Sequence, residues 1–191
     1  MDNVFRSGSA SENTHKIIYI ADLPKYTSYL DLSDFYERNV GPCMICIKRP
    51  LFKNFCYAFV QFETIELAKK AATDFRFPTI KGNFMSRVLP YNMHALRGEA
   101  GGRDMQSTSV FVKGFEKAKW NHADLYAKFC TYGKILSCKV SISPDHEFLG
   151  FGYVQFAKLE EAQKAIQEMD KYDLSSDGPL GCEGILSVLE Y

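Results

Sequence analysis

The amino-acid sequence predicts an α+β protein made of two copies of one domain, each with the element order βαββαβ. The prediction rests on an internal repeat, on short strands of alternating apolar residues, and on amphipathic helical segments. In the repeat, residues 16–23 (KIIYIADL) are similar to residues 109–115 (SVFVKGF), and residues 54–62 (NFCYAFVQF) are similar to residues 148–156 (FLGFGYVQF). The two offsets are 92 and 94 residues, so the segments between the matches share one order of elements.

Each copy begins with a short strand and a helix. The segments IIYI and VFVK have the β-branched and aromatic composition of strands. Ser28 and Asn121 then stand where a helix begins, with Asp124 in the first turn of the second helix. Their side-chain oxygens can accept hydrogen bonds from N–H groups that have no partner within the helix. The apolar residues predicted for these helices are Tyr29, Leu32, Phe35 and Tyr36 in the first copy, and Leu125 and Phe129 in the second.

Two strands, a second helix and a last strand complete each copy. The second strands are predicted at residues 44–48 and 135–142, and the last strands near residues 84–89 and 184–190. The second helices carry apolar residues at i, i+3, i+4 and i+7; these are Ala68, Ala71, Ala72 and Phe75, and Ala162, Ala165, Ile166 and Met169. This order favours a four-stranded antiparallel sheet with both helices on one face.

The domain boundaries follow from the repeat. A polar leader is predicted for residues 1–15, the first domain for residues 16–92, a flexible linker for residues 93–108 and the second domain for residues 109–191. The linker contains a Gly-rich polar stretch, which is flexible when free. Two domains joined this closely can bind a single extended ligand together. Once one domain is bound, the tether raises the local concentration of the second site to about the millimolar range.

The other face of each sheet carries aromatic rings with no predicted covering layer. Alternation turns small and branched residues of the third strands toward the helices. The residues left on the outer face are Tyr57, Phe59 and Gln61 in the first copy, and Phe151, Tyr153 and Gln155 in the second. Exposed aromatic rings among polar residues are suited to stacking on the bases of single-stranded nucleic acid.

The second strands are predicted to add lysines to the same face. In the first copy, the register that buries Cys43, Ile45 and Ile47 turns Lys48 outward, and the alternative would bury an ammonium group at a cost of several kcal/mol. In the second copy, Leu136, Cys138, Val140 and Ile142 are expected to face the core, with Ser137 and Lys139 outward. Lys113 shares the face of Phe111, so these lysines could bind phosphate or base.

The first and third strands resemble the two motifs of the RNA-recognition motif (RRM). The segments IYIADL and VFVKGF are similar to its six-residue motif, and FCYAFVQF and LGFGYVQF to its eight-residue motif. The resemblance implies two ferredoxin-like βαββαβ domains whose RNA-stacking rings are Tyr19, Tyr57 and Phe59, and Phe111, Phe151 and Tyr153. Phe55 and Leu149 stand where that family usually has a basic residue.

A narrower resemblance covers both domains and their connection. The segments YIADL, YAFVQF, TIKG and LYAKFCTYGKILSCKV, in this order, are similar to the first two RRMs of cytoplasmic poly(A)-binding proteins. The resemblance implies binding of A-rich mRNA, a role in mRNA metabolism or translation, and a cytoplasmic location that can extend to the nucleus. It also implies a translation-initiation scaffold protein as partner of the second domain's helices. The chain departs from that family at Leu89, Tyr91 and Asn92.

Composition is compatible with this interpretation. The 191 residues include 23 Lys and Arg and 23 Asp and Glu, a net charge of zero. The first 97 residues hold 13 basic and 9 acidic residues, and the remainder 10 and 14, so neutrality is a cancellation between halves. Few phosphate contacts and a shallow dependence of RNA binding on salt are therefore expected.

Other classes of function receive little support from the sequence. It has no apolar run of membrane-spanning length, no recognisable catalytic motif and no cofactor-binding motif. Cys43 and Cys46 have the only metal-like spacing, without a second pair. We therefore expect no catalytic residue, metal or cofactor, and a monomer with reduced thiols.

An alternative function is a protein-interaction RRM with weak or lost RNA binding. It would use acidic residues on the helix side of the second domain, which are Glu160, Glu161, Glu168, Asp170 and Asp173.

Overall fold

The computed structural model describes residues 14–51, 53–82, 84–91, 108–117, 119–145, 147–177 and 184–191. The chain divides into two compact units, Met1–Arg97 and Gly98–Tyr191, called domain 1 and domain 2. Nearly all of the predicted leader and linker lies outside the described residues.

Domain 1 contains a four-stranded antiparallel sheet and two helices. Its elements are β1 (Ile17–Pro24), α1 (Tyr29–Asn39), β2 (Cys43–Lys48), β3 (Phe55–Phe62), α2 (Ile65–Asp74), β4 (Thr79–Lys81), β5 (Phe84–Met85) and β6 (Arg87–Pro90). The strand order in the sheet is β2-β3-β1-β6. Strands β4 and β5 form a separate small hairpin that the sequence did not predict.

Domain 2 repeats this architecture. Its elements are β7 (Ser109–Lys113), α3 (His122–Phe129), β8 (Ile135–Ile142), β9 (Phe148–Phe156), α4 (Leu159–Met169) and β10 (Ser187–Glu190). The strand order is β10-β7-β9-β8 and all pairs are antiparallel. The predicted α+β fold of two ferredoxin-like βαββαβ domains is confirmed.

Capping boxes begin the first helix of each domain, at the cap residues Ser28 and Asn121 that the sequence predicted. The Ser28 hydroxyl accepts a hydrogen bond from the Asp31 N–H, and the Ser28 N–H donates to the Asp31 carboxylate over 2.7 Å. In domain 2 the Asn121 amide oxygen accepts from the Asp124 N–H, and the Asn121 N–H donates to the Asp124 carboxylate. These bonds satisfy backbone donors that the helix itself cannot, which sets where each helix begins.

The core of each domain lies between the helices and one face of the sheet. In domain 1, Leu32 and Tyr36 of α1 and Ala68 of α2 pack with Ala58 and Val60 of β3. In domain 2, the core includes helical and inward strand residues, namely Leu125, Phe129, Ala162, Ala165, Met169, Val140 and Val154. Tyr29, expected on the apolar face of α1, is half exposed because it is the first residue of the helix.

A second residue that was predicted to face the core is exposed. Leu136 is 42% exposed, whereas Ile135 is buried. Ile135 pairs with Phe156 and Ser137 pairs with the next residue, Gln155, so Leu136 is the extra residue of a β-bulge. Because a bulge inserts one extra residue, the alternation of inward and outward side chains before it is out of phase with the alternation after it. Cys138 and Val140 are buried as predicted.

A histidine that the sequence did not single out joins helix α3 to strand β8. His122 is fully buried, and its Nδ1 accepts a hydrogen bond from the Val140 N–H over 3.0 Å. Its ring also packs edge to face against Phe148. The contacts fix the helix against the strand that carries Lys139.

None of the helices within the described ranges is long and apolar enough to cross a membrane.

Removing the Asp31 carboxylate should destabilise domain 1 in a pH-dependent way. Asp31 also forms an ion pair with Lys81 over 2.8 Å, and the hydrogen bonds from Lys81 and Ser28 lower its pKa from 3.8 to about 2. This stabilisation is present above the unfolded pKa and is lost as the pH falls through about 2. We expect Asp31→Asn to lower the free energy of unfolding by about 1 kcal/mol at neutral pH.

Urea denaturation at pH 7 and in steps below pH 4 measures this difference. Asp34→Asn is the matched control, because Asp34 is exposed and lies 3.9 Å from Arg38 on the same helix. An Asp31→Asn effect that is no larger than the control, or that persists unchanged to pH 2, would contradict the assignment.

Candidate nucleic-acid interface

Three aromatic rings from β1 and β3 meet on the outer face of domain 1. Tyr19 lies directly opposite Phe59 in the strand pairing, and the ring centroid of Tyr19 is 5.6 Å from that of Phe59 and 5.5 Å from that of Tyr57. The Tyr57 and Phe59 centroids are 5.7 Å apart, edge to face. We call these three residues platform 1.

Domain 2 carries the same cluster. Phe111 lies opposite Tyr153, with ring centroids 5.2 Å apart, and is 6.0 Å from Phe151. We call these three residues platform 2. The separations are those of favourable aromatic pairs. All six rings predicted from the sequence therefore lie on the outer faces, half-buried in their own sheets.

Each predicted lysine lies directly across the strand pairing from a platform ring. Lys48 is opposite Tyr57, Lys139 is opposite Tyr153, and Lys113 is opposite Phe151. Side chains opposite each other in an antiparallel pair have Cβ atoms about 4.5–5.5 Å apart. A positive group therefore flanks a ring in both domains, where it can contact the phosphate of a nucleotide stacked on that ring.

The two predicted glutamines lie at the ends of the platforms. Gln61 is opposite Met44 and Ile17, and Gln155 is opposite Ser137 and Ser109. A cleft of about 290 Å³ adjoins Gln61 and is lined also by Lys16, Met44 and Glu63. An amide beside a stacked base can form two hydrogen bonds with the base edge.

Sequence reasoning missed a fourth ring in each domain. Tyr91 follows β6, donates its N–H to the Ile17 carbonyl, and packs edge to face on Phe59 with centroids 5.4 Å apart. Tyr191 follows β10 in the same way, with its ring 4.8 Å from that of Tyr153. The signal was available, because both domains place a tyrosine directly after the last strand.

Sequence reasoning also missed a cation beside platform 1. Arg87 of β6 donates from Nε to the carboxylate of Asp22, and the side chains of both residues are about nine-tenths buried. Burial raises the pKa of the Tyr19 hydroxyl, while the nearby Arg87 charge acts in the opposite direction.

The CxxC spacing of β2 does not bring its two thiols together. Cys43 is opposite Phe62 and faces the core, whereas Cys46 is opposite Phe59 and faces outward. Burial also raises the pKa of Cys43 to about 11, which disfavours the thiolate that a metal requires. Across the described ranges, no group of three His, Cys, Asp or Glu side chains is arranged to hold a metal ion.

Comparison with known families identifies the two domains. The family model described as the RNA recognition motif matches residues 18–86 and 110–177. The chain belongs to the RNA recognition motif family. The two matches contain the six rings of platforms 1 and 2 but end before the last strand of each sheet. RNA binding is the function that membership supports.

Two curated relatives are similar over most of the chain. The polyadenylate-binding protein, cytoplasmic and nuclear, of Candida glabrata is 29% identical over 162 residues, which are 84% of this chain and 27% of that protein. Polyadenylate-binding protein 2 of Arabidopsis thaliana is 23% identical over 164 residues, which are 85% of this chain and 25% of that protein. The chain thus spans about a quarter of the length of these relatives.

Solved structures of tandem RRM proteins are also similar. A Sex-lethal protein–RNA complex is 22% identical with a TM-score of 0.45, covering 92% of this chain and 99% of that one. The first two RRM domains of the yeast poly(U)-binding protein are 21% identical with a TM-score of 0.38, covering 91% and 97%.

The fourth rings should contribute to RNA binding. We expect Tyr91→Ala and Tyr191→Ala each to weaken the binding of a single-stranded oligoribonucleotide several-fold, because each removes an aromatic surface that adjoins a platform ring. Fluorescence anisotropy measures the affinity.

Tyr29→Ala is the control for these variants, since Tyr29 is an exposed ring on helix α1. Affinities equal to that of the control would show that the fourth rings only support packing.

Proposed function

We propose that this chain binds single-stranded, A-rich RNA by stacking bases on platforms 1 and 2, in mRNA metabolism or translation. The observation that carries the proposal is the matched pair of aromatic clusters, each on a sheet face opposite its helices. Each base stacked on an aromatic ring contributes about 1–3 kcal/mol. The cytoplasmic and nuclear location given in the name of the Candida glabrata relative is proposed for this chain as well.

The proposed preference for adenine rests on two kinds of support. The first is the similarity to polyadenylate-binding proteins. The second is the placement of Gln61 and Gln155, since a glutamine amide can donate to and accept from the edge of adenine. Stacking alone does not select a base, because every base has an aromatic face.

The alternative is a protein-interaction surface on the helix side of domain 2, with a translation-initiation scaffold as partner. Three of the five acidic residues named for this role also accept hydrogen bonds within the domain. Glu161 accepts from the Lys158 N–H, Asp170 accepts from the Val188 N–H, and Asp173 accepts from the Ser175 N–H. These carboxylates have roles within the domain, so we place RNA binding first.

Loss of platform 2 should greatly weaken RNA binding without unfolding the chain. We expect Phe111→Ala and Tyr153→Ala each to reduce the affinity for oligo(A) about 5- to 150-fold, the equivalent of 1–3 kcal/mol. Both rings are on the outer face and outside the core, so the urea unfolding transition should change little. Unchanged affinity in a folded variant would show that RNA does not use this face.

RNA binding should also depend weakly on salt. Three platform lysines would give about three phosphate contacts and a slope of log K against log salt near −2, since single strands give about −0.7 per phosphate. Titration of the full chain with oligo(A), oligo(U), oligo(C) and oligo(G) over a salt series measures both the preference and the slope. A slope steeper than about −4 would indicate six or more phosphate contacts and contradict a stacking-dominated interface.

A further inference from the structure

The ion pair between Arg87 and Asp22 lies on the same face as platform 1. Tyr19 pairs with Leu89, Ile20 with Val88, and Ala21 with Arg87. Val88 faces the core and is 1% exposed. Because side chains alternate along a strand, Arg87 shares the outer face with Tyr19, on the neighbouring strand.

The charged side chains of Arg87 and Asp22 are both largely buried in the surface of the sheet. The Arg87 side chain is 10% exposed and that of Asp22 is 12% exposed. A buried charge is tolerated when it is paired and hydrogen-bonded, and the Asp22 carboxylate supplies both conditions through the Arg87 Nε. The guanidinium is therefore held in one place on the strand next to that of Tyr19, unlike a lysine that reaches from the surface.

The backbone is distorted where Asp22 stands. Asp22 has φ 61°, in the left-handed region, and the register of β1 against β3 shifts between Ile20 and Leu23. Left-handed backbone costs a non-glycine residue roughly 1–2 kcal/mol. At the corresponding position of domain 2, Gly114 has φ 100°. Domain 1 thus has a carboxylate where domain 2 uses a glycine, and that carboxylate binds Arg87.

Domain 2 also has a cation at the corresponding pair of residues, but it lies on β7, the first strand, rather than on β10, the last strand. There Lys113 pairs with Ser187, whereas in domain 1 Ala21 pairs with Arg87. Lys113 is exposed, and Arg87 is buried and hydrogen-bonded. Arginine presents a rigid planar fork of donors and lysine a flexible point charge, so the two domains are equipped for different contacts.

We propose that Arg87, positioned by Asp22, donates hydrogen bonds to an acceptor of the nucleotide stacked on Tyr19. The proposal rests on the proposed function of platform 1. The Asp22 contact uses the Nε donor, and the Nη groups carry four further N–H donors. The acceptor is either a phosphate oxygen or an acceptor on the base edge, such as N7 of a purine.

Neutralising the pair tests the proposal in the full chain. The double variant Asp22→Asn/Arg87→Gln leaves no unpaired buried charge, and urea unfolding verifies that it folds. We expect the affinity for the best-bound oligonucleotide to fall about 5- to 100-fold. A changed order among the four homopolymers identifies a base contact, and a salt slope shallower by about 0.7 identifies a phosphate contact.

The matched control is Asp34→Asn/Arg38→Gln, which removes the same two charges from an exposed pair on α1. The control should bind RNA as the unmodified chain does. If the unmodified chain binds none of the oligonucleotides, the proposed function fails. If it binds and the folded Asp22→Asn/Arg87→Gln variant keeps its affinity, preference and salt slope, only the role of Arg87 is overturned.

A measurement on the unmodified chain keeps the proposal testable if the double variant does not fold. The Arg87 Nε–H is bonded to a carboxylate in a buried pair, so its proton should exchange slowly and give an NMR signal, assigned by its loss in Arg87→Lys. We expect saturating RNA to shift this signal. A signal that is unaffected by saturating RNA would overturn the proposal.

Discussion

The position of the helices on one side of each sheet determines the chemistry of the other side. Alternation in β3 and β9 sends Ala58 and Val60, or Gly152 and Val154, into the core, so the next residues along each strand must face outward. Those residues are the rings of platforms 1 and 2. The core and the candidate RNA surface are therefore two consequences of one strand pattern, and a change of register by one residue would exchange them.

The two domains meet this constraint with different residues at matching positions. Gly152 stands where domain 1 has Ala58, and a Cβ there would lie 2.6 Å from the Lys139 carbonyl oxygen and 2.8 Å from the Leu125 side chain. Domain 2 thus packs α3 closer to its sheet than a larger residue would allow. Beside the platforms, corresponding cross-strand pairs carry Arg87 on the last strand of domain 1 and Lys113 on the first strand of domain 2. Two domains of one fold therefore carry different side chains on the same face of the sheet.

Much of the candidate interface follows from local sequence patterns. The first and third strands of each domain are marked by alternation and by the repeat, so the six rings and their face could be predicted. Lys48 could be placed because only one register avoids burying its ammonium group. Ser28 and Asn121 could be identified as caps because their side chains act on residues two or three positions ahead.

The errors arose where a feature depends on residues far apart in the chain or on strands too short to leave a pattern. Leu136 was assigned to the core because a bulge, which depends on pairing with β9, has no signal in β8 alone. The β4–β5 hairpin was missed because its strands have three and two residues. Tyr91 and Tyr191 were missed because only the assembled sheet brings the end of its last strand close to the ring on β3 or β9.

The sequence by itself determined the repeat, the fold class and the outward face of the central strands, because alternation and capping act over a few residues. The tertiary structure alone decided which distant groups meet. Arg87 and Asp22 are 65 positions apart, and neither residue type indicates an ion pair on the outer face. Their contact exists because β6 pairs with β1 at the bulge, and strand pairing is a property of the whole sheet.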